Sequence, residues 1–582
     1  MRKSDNTIIL VISALTIFLS ACNEILDKEN LTGINPSDIY SNEALSGAYV
    51  NDLYARLMPG NPGGTGNNTD EGVAHNRATN EWLTGTATFD SYNIYNSSYA
   101  NIRLINQFLD NIDDATFDPA IIDELKGQAL FWRAWVYYNL VKSYGGVPLI
   151  LTSQVPTSDL EELSVERSKT SICVAQIIQD LDDAINLLPS SWTGEDVGRI
   201  DKGVAMAFKG RVLLFFASPL FDGLGGVASW QIAYEANRAA KDFLVEQGKG
   251  LYSPYKDIWD VELNMEHVMI RRFNFPQSYY SQAGVIPLTW SSGDAGQDKP
   301  SLELVNAFPM KDGSAWDPAT MSLDTLWRYR DDRFYANIYY NGSPNQYVQG
   351  MRDDESFLWT YYEEIEDLNG PTGIIGTYNP VTDEVGNPSA SSFHRIKAVD
   401  KHKNRNEVGQ CDVDWPEIRF TEVLMNLGEC ANEVGNTTEA LDILKQVRAR
   451  AGILEGTGDY GIKANSKDGI RTAYINERFV EFCFEGKRWD DLRRHKMFGY
   501  LRDLRQRRGI ALALKDGETH VAKMDDIDQV YTKFDLSVVE TDVSDFAISD
   551  QFYIYGIPTS VLDRNTKLVQ NNNWGGDFDP LQ

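Results

Sequence analysis

Positive charge is in short supply. The 582 residues hold 54 Lys and Arg against 84 Asp and Glu, a formal net charge of -30. A surface of that sign repels phosphate backbones, so no nucleic-acid partner is expected. Histidine and cysteine are scarce as well, at six and five residues. The histidines (His75, His267, His394, His402, His495, His520) show no metal-ligand spacing. No two of Cys22, Cys173, Cys411, Cys430 and Cys483 form a CxxC pair, which excludes zinc-ribbon and thioredoxin-type sites. The last four lie in apolar stretches and read as small buried hydrophobes. No HExxH, GxSxG or Walker A sequence occurs. Gly223-Leu224-Gly225-Gly226-Val227-Ala228 has the GxGxxA form, but it follows a helical stretch and not a strand, which argues against a dinucleotide site. No cofactor is expected, while Asp294 and Asp298 in one loop leave calcium open.

The N-terminus carries its own signal. Met1-Arg2-Lys3 is a short basic segment, and the apolar run from Ile8 to Leu19 is too short to span a bilayer comfortably. It fits the apolar part of a signal peptide covering residues 1–21. The run ends in Leu19-Ser20-Ala21-Cys22, which resembles a bacterial lipobox. That resemblance implies cleavage before Cys22, acylation of its thiol and amine, and a stable membrane anchor.

Beyond the N-terminus, helices dominate. Apolar residues at Ile102, Ile105, Leu109 and Ile112 recur every three to four positions. Pro119 marks a helix start, and Gly145-Gly146 marks its stop after Tyr144. Further helices are expected at 168–188, 201–217, 229–247, 416–434, 438–450, 469–485 and 488–506. Leu427-Gly428, Ala431, Ala440 and Leu444 sit at tetratricopeptide offsets, with small residues where paired helices cross. Gly435-Asn436 supplies the turn, and Thr437 or Thr438 is the expected cap. Residue 431 is Ala and not aromatic, and residue 452 is Gly and not Pro, so the match is partial. One such pair cannot bury its own face, so the other helices are expected to stack on it as degenerate copies.

The middle of the chain reads differently. Residues 251–410 are rich in Gly, Pro, Asn and aromatics, with strand-like runs such as Tyr335 to Tyr340. Loops on a rigid scaffold are where binding usually resides. This divides the mature chain into a helical region at 22–250, a loop-rich ligand-binding region at 251–410 and a second helical region at 411–582. Glu477, Glu481 and Glu485 share one helix face. A carboxylate pair is what a glycosidase needs. With Arg478, Lys487, Arg488, Arg493 and Arg494 close by, however, a structural ion-pair network is the expected role.

Six segments in order resemble the SusD/RagB family of outer-membrane nutrient-binding lipoproteins. They are Leu140 to Leu149, with its Tyr-Gly-Gly-Val-Pro-Leu; Pro300 to Gly313; Arg330 to Tyr335; Arg419 to Gly452; Ile475 to Arg494; and Ile557-Pro558 with Leu568 to Asn571. The resemblance implies a mainly α fold of four degenerate tetratricopeptide helix pairs supporting a loop-rich part with short strands. It implies no catalysis. The expected role is binding of a glycan at the cell surface, or of a peptide in some members, for delivery to a SusC-type TonB-dependent transporter. The rival readings are a surface glycoside hydrolase and a tetratricopeptide lipoprotein that binds only protein or peptide.

The family resemblance assigns no ligand residues, because they lie in its variable loops. The residues themselves suggest loop aromatics on two sides of one face, suited to sugar C–H groups. Trp82, Tyr92 and Tyr95 form one side, and Tyr279, Tyr280, Trp290 and Trp316 the other. Asn80, Asp294 and Gln297 are candidates for hydroxyl contacts.

Overall fold

Pro119 supplies the fixed φ of a first helical turn, and the Asp118 carboxylate accepts from Ala120 N at 2.9 Å. Gly145, at φ +74°, ends the run. Between them lies the helix Pro119–Tyr144. It belongs to a computed structural model that describes residues 36–60, 65–74, 80–155, 157, 160–285, 298–340, 343, 363–364, 376–377, 391–404, 406–456, 458–518 and 527–582. The longer helices are α1 Glu43–Leu57, α2 Tyr95–Ile112, α3 Pro119–Tyr144, α4 Thr170–Leu187, α5 Lys202–Ala217 and α6 Trp230–Glu246. Later in the chain come α7 Phe420–Glu433, α8 Thr437–Arg450, α9 Lys467–Glu481, α10 Arg488–Arg494 and α11 Phe498–Leu504. Asn42, Asp201, Ser229 and Ser466 cap α1, α5, α6 and α9 through their side chains.

The fold is mainly α, as expected. Helix α3 packs on α1, α2 and α4; α4 packs on α5, α5 on α6, α6 on α7 and α7 on α8, while α9 closes on α7 and α8. The tetratricopeptide geometry is visible at the last of these crossings. A Cβ on Gly428 would lie 1.8 Å from the Tyr474 hydroxyl, which donates to Ala440 O at 2.6 Å. Gly435, at φ +91°, makes the turn between α7 and α8. The cap differs from expectation: Asn436 precedes α8 and makes no side-chain capping bond, and Thr437 already lies within the helix.

Among the described residues, six strands of three residues or more complete the framework: β1 His267–Arg271, β2 Ile338–Tyr340, β3 Phe393–Arg395, β4 Trp415–Arg419, β5 Arg508–Leu514 and β6 Phe534–Glu540. They pair antiparallel as β1–β4, β2–β3 and β5–β6, and every sheet among the described residues has two strands. Three expected helices are corrected here. The start of 416–434 is β4, because residues 415–419 find a strand partner in β1. Helix α9 stops at Glu481, before Phe484 at φ +59°. The 488–506 run divides into α10 and α11 around Lys496 at φ +57°. The Tyr335 to Tyr340 run also divides: Asp331 caps a short helix, Asp332–Asn337, and only Ile338–Tyr340 is strand.

The principal core extends from Val50 on α1 to Leu568 near the C-terminus, so the N-terminal and C-terminal helical stretches share one interior. A second core, with Leu304, Phe308, Trp316, Trp327 and Phe334, sits under the loop-rich part and takes Phe479 and Phe484 from α9 and its exit. Cys173, Cys411, Cys430 and Cys483 are free and buried. Burial pushes the Cys483 thiol up to about 12, which keeps it protonated and unreactive.

Candidate functional site

Glu477 and Glu481 on α9, and Glu485 just beyond its end, face the interior and are fully committed; the shared helix face expected for all three holds only for the first two. Glu477 accepts from Arg333 at 2.6 Å and pairs with Arg448 at 3.0 Å. Glu481 accepts from Arg333 at 3.1 Å, from Arg419 at 3.1 Å and from Arg450 at 2.5 Å. Glu485 accepts from Arg419 at 2.7 Å and pairs with Lys397 at 2.7 Å. Burial alone would raise the Glu481 carboxyl, but the guanidinium groups of Arg450, Arg419 and Arg333 hold it well below the usual carboxylate range. A general acid needs the opposite shift, so this geometry does not suit glycoside hydrolysis. The network was expected, but its partners were not. Arg478 pairs with Asp491, Lys487 with Glu422, Arg488 with Asp70, and Arg494 with Glu429 and Asp491.

Several rings expected to face a ligand are core rings instead. Trp82 is 8% exposed and packs edge-on against Phe552 at 5.1 Å and against Tyr555 at 4.8 Å. Tyr95 is 2% exposed, between Tyr99 and Tyr144 at 5.4 and 5.0 Å. Trp316 is buried in the second core. Tyr280 packs on Phe273 at 5.0 Å, its backbone paired with Cys411, and burial raises its hydroxyl well above the usual range. Tyr92 is half-buried against Tyr555 at 4.7 Å. Partners distant in sequence bury these rings, which a polar local sequence does not disclose. Asn80 is half-buried and serves its own turn, its Oδ1 accepting from Trp82 N at 2.8 Å. Trp290, Asp294 and Gln297 lie outside the described residues, as does Cys22.

Among the described residues, Tyr279 is the candidate ring that remains accessible, at 50% exposure, and it has a companion. Phe275, 41% exposed, meets it edge-on with ring centroids 5.3 Å apart. Asn274 and Ser278 exchange two 2.8 Å backbone hydrogen bonds, and this tight turn presents both rings. The turn is tied to the scaffold through Phe275 N, which donates to Asp412 Oδ2 at 3.4 Å. Lys403 pairs with Asp412 at 2.8 Å, and its ammonium lies 5.8 Å from the centre of the Phe275 ring. Burial opposes the ionisation of Asp412, but the Lys403 ammonium outweighs it and keeps the carboxylate charged. Two apolar ring faces beside an ammonium and a carboxylate can hold a flat, hydroxyl-bearing ligand. Phe275 was not among the candidates; its signal in sequence is the Phe-Pro step in a short polar turn, Asn274-Phe275-Pro276-Gln277-Ser278.

The stretch that precedes Trp82 meets the edges of the second loop segment, although these contacts do not involve the rings named for either side. Gly72-Val73 pairs antiparallel with Lys299-Pro300. Gly66 N donates to Asp298 Oδ1 at 3.0 Å, and Arg271 donates to Met58 O at 2.9 Å. This brings the 58–73 stretch against both ends of the segment that begins with Phe273 and Tyr279.

Comparison with known proteins agrees with this architecture. Residues 258–574 match the SusD family, and residues 26–214 match a family described as starch-binding and associating with the outer membrane. A SusD-like protein of Formosa agariphila is 24% identical over 528 residues, which is 85% of this chain and 91% of that protein. A crystal structure of a SusD-like protein from Bacteroides fragilis superposes with a TM-score of 0.72 at 23% identity, covering 94% of this chain and 99% of that one. A second from the same organism, described as a SusD-like carbohydrate-binding protein, gives 0.67 at 19% identity, covering 91% and 99%. With one family match extending over more than half of its length, the chain belongs to the SusD family.

Proposed function

We propose that the protein is a non-catalytic, cell-surface lipoprotein. It binds an oligo- or polysaccharide and delivers it to a SusC-type TonB-dependent transporter, anchored to the outer membrane through acylated Cys22. Family membership supports this reading, as does the description of the N-terminal match. The observation that carries it is the exposed Phe275–Tyr279 pair at the edge of the loop-rich part, on a rigid helical frame. Trp290, Asp294 and Gln297 are proposed to extend that surface, with Asn80 and Tyr92 at its margin. Trp82, Tyr95, Tyr280 and Trp316 support it from within. The commitment of Glu477, Glu481 and Glu485 to arginine and lysine partners favours binding over hydrolysis.

Affinity electrophoresis of the full chain through gels containing single polysaccharides, starch among them, tests the proposal. A retarded band is expected for at least one polysaccharide. Tyr279→Ala and Phe275→Ala are expected to weaken retention severalfold, since a stacked ring contributes about 0.5–1.5 kcal/mol beyond its area. Reducing-sugar release from the retaining polysaccharide would overturn the non-catalytic reading. Equal retention of parent and both variants would move the site elsewhere.

A further inference from the structure

A spacious cleft of the helical scaffold belongs to none of the surfaces above. It has a volume of about 700 Å³, against 220 to 270 Å³ for three further clefts. That is within the roughly 300–1,000 Å³ of small-molecule sites. One wall is the outward face of α9, with Thr472, Ile475 and Asn476; Trp230, at the start of α6, and Met497 and Tyr500, around the start of α11, complete the enclosure.

All but one of the lining carboxylates, and both lining arginines, are already neutralised. Arg471 grips Glu433 with two 2.7 Å bonds, Arg508 holds Glu303 at 2.7 Å, and Arg488 gives Nε and Nη2 to Asp70 at 2.8 and 2.7 Å. Asp222, on the exposed edge, is the one lining carboxylate without an ion pair among the described residues. Recognition of an ion needs an unpaired counter-charge enclosed by the site, and the unpaired carboxylate here, Asp222, stands on the exposed rim. What it does present is neutral. The Asn476 carboxamide is exposed and makes no hydrogen bond among the described residues. Tyr500 is 40% exposed. Trp230, Ile475 and Met497 are half-buried and give apolar faces. The Tyr500 hydroxyl is held by Asp70, so what remains is apolar ring surface beside a free amide, which suits a hydroxylated molecule with no net charge.

We propose that this cleft is a second ligand site, taking a neutral saccharide of one or two rings. The site is independent of the Phe275–Tyr279 surface and does not rest on it. The test is saturation-transfer NMR of the full chain, in a detergent without a sugar headgroup. The probes are D-glucose, D-galactose, D-mannose, D-xylose, L-rhamnose, maltose, cellobiose and lactose at millimolar concentration. At least one probe is expected to bind, and Asn476→Ala and Trp230→Ala should weaken it fivefold or more. Trp230→Phe, which keeps an aromatic face and the helix start, should retain most of the signal and separates binding from misfolding. The part of the signal that Asn476→Ala removes should persist in a Tyr279→Ala background. Absence of binding by every probe would overturn the proposal, as would binding that Tyr279→Ala abolishes and the cleft variants do not.

Discussion

Arg419 sits where no water can share its charge, and Glu266, Glu481 and Glu485 surround it instead. Burying charges costs more than an isolated pair returns, so the network holds only because every member is matched. Glu481→Gln leaves Arg333, Arg419 and Arg450 short of one negative charge. It is expected to cost about 3–5 kcal/mol in a denaturant titration, the range for removing one partner of a buried pair. A loss below about 1 kcal/mol would show that the charges are not mutually compensating. Glu481 and Glu485 are both held below the usual carboxylate value by these partners, although burial opposes it. Their stabilising contribution is therefore complete above about pH 4.5 and is lost as the pH falls towards their folded-state values. Glu71 works in the opposite direction. Burial first, and then Asp70, push its carboxyl up to about 8. Between about pH 4.5 and 8 the folded protein keeps a proton that the unfolded chain has released, so this group's contribution declines as pH rises. Glu71→Gln keeps an acceptor for Phe484 N, which bonds Glu71 Oε1 at 3.2 Å, and removes the titration. The variant should melt higher than the parent at pH 8, by a wider margin than at pH 5. Equal margins would refute the raised value. The i, i+4 spacing made the shared face of Glu477 and Glu481 legible in the sequence, whereas Glu485 lies beyond the helix end. Their partners were not legible, because Arg333, Lys397, Arg419 and Arg450 come from four separate elements, whereas the basic residues nearest in sequence are drawn to Asp70, Glu422, Glu429 and Asp491. The rings failed for the same reason. Trp82 is buried by Phe552 and Tyr555, which local sequence around residue 82 cannot announce.

Helices, by contrast, were legible wherever punctuation is local. Pro119 and Gly145 bound α3, and Asp201 fixes the start of α5. Boundaries failed where a distant partner decides: β4 is strand because β1 lies beside it, although the residues following it are strongly helical. The α7–α8–α9 crossing is a further element-scale device that a sequence can reveal, through the glycine that permits it. A Cβ on residue 428 would meet the Tyr474 hydroxyl at 1.8 Å and its ring carbon at 2.6 Å. Gly428→Ala is therefore expected to destabilise the protein by about 1–3 kcal/mol, as overpacking does. Tyr474→Phe alone should cost about 1 kcal/mol, for the lost hydrogen bond to Ala440 O. Because the ring carbon still obstructs, the double variant should recover only part of the Gly428→Ala loss. Chemical denaturation of the four proteins measures that coupling, and strict additivity would mean that the crossing relaxes by moving a helix.

At the scale of the whole molecule, attachment and docking are separable. No helix among the described residues is long and apolar enough to cross a membrane. The described fold thus offers no spanning helix for attachment, and the proposed tether is Cys22, outside it. Acyl chains contribute about 0.8 kcal/mol per buried CH₂, so two or three of them hold a protein of this size firmly. Cys22→Ala is expected to move the protein from the membrane pellet to the soluble fraction, or to leave it as an unprocessed precursor; maturation and fractionation like the parent's would refute the tether. The proposed transporter partner makes a different demand. If the protein were held near a barrel only by sharing its membrane, mild detergent would separate the two, because detergent removes the common bilayer. If a folded surface docks on the barrel, the pair survives extraction and a TonB-dependent porin of larger mass co-purifies with the parent. The same porin should then be captured by Cys22→Ala protein added to solubilised outer membranes, because docking no longer depends on the lipid. Recovery of the parent as a monomer in several mild detergents, together with no capture by the variant, would leave the protein a tethered binder without a transporter.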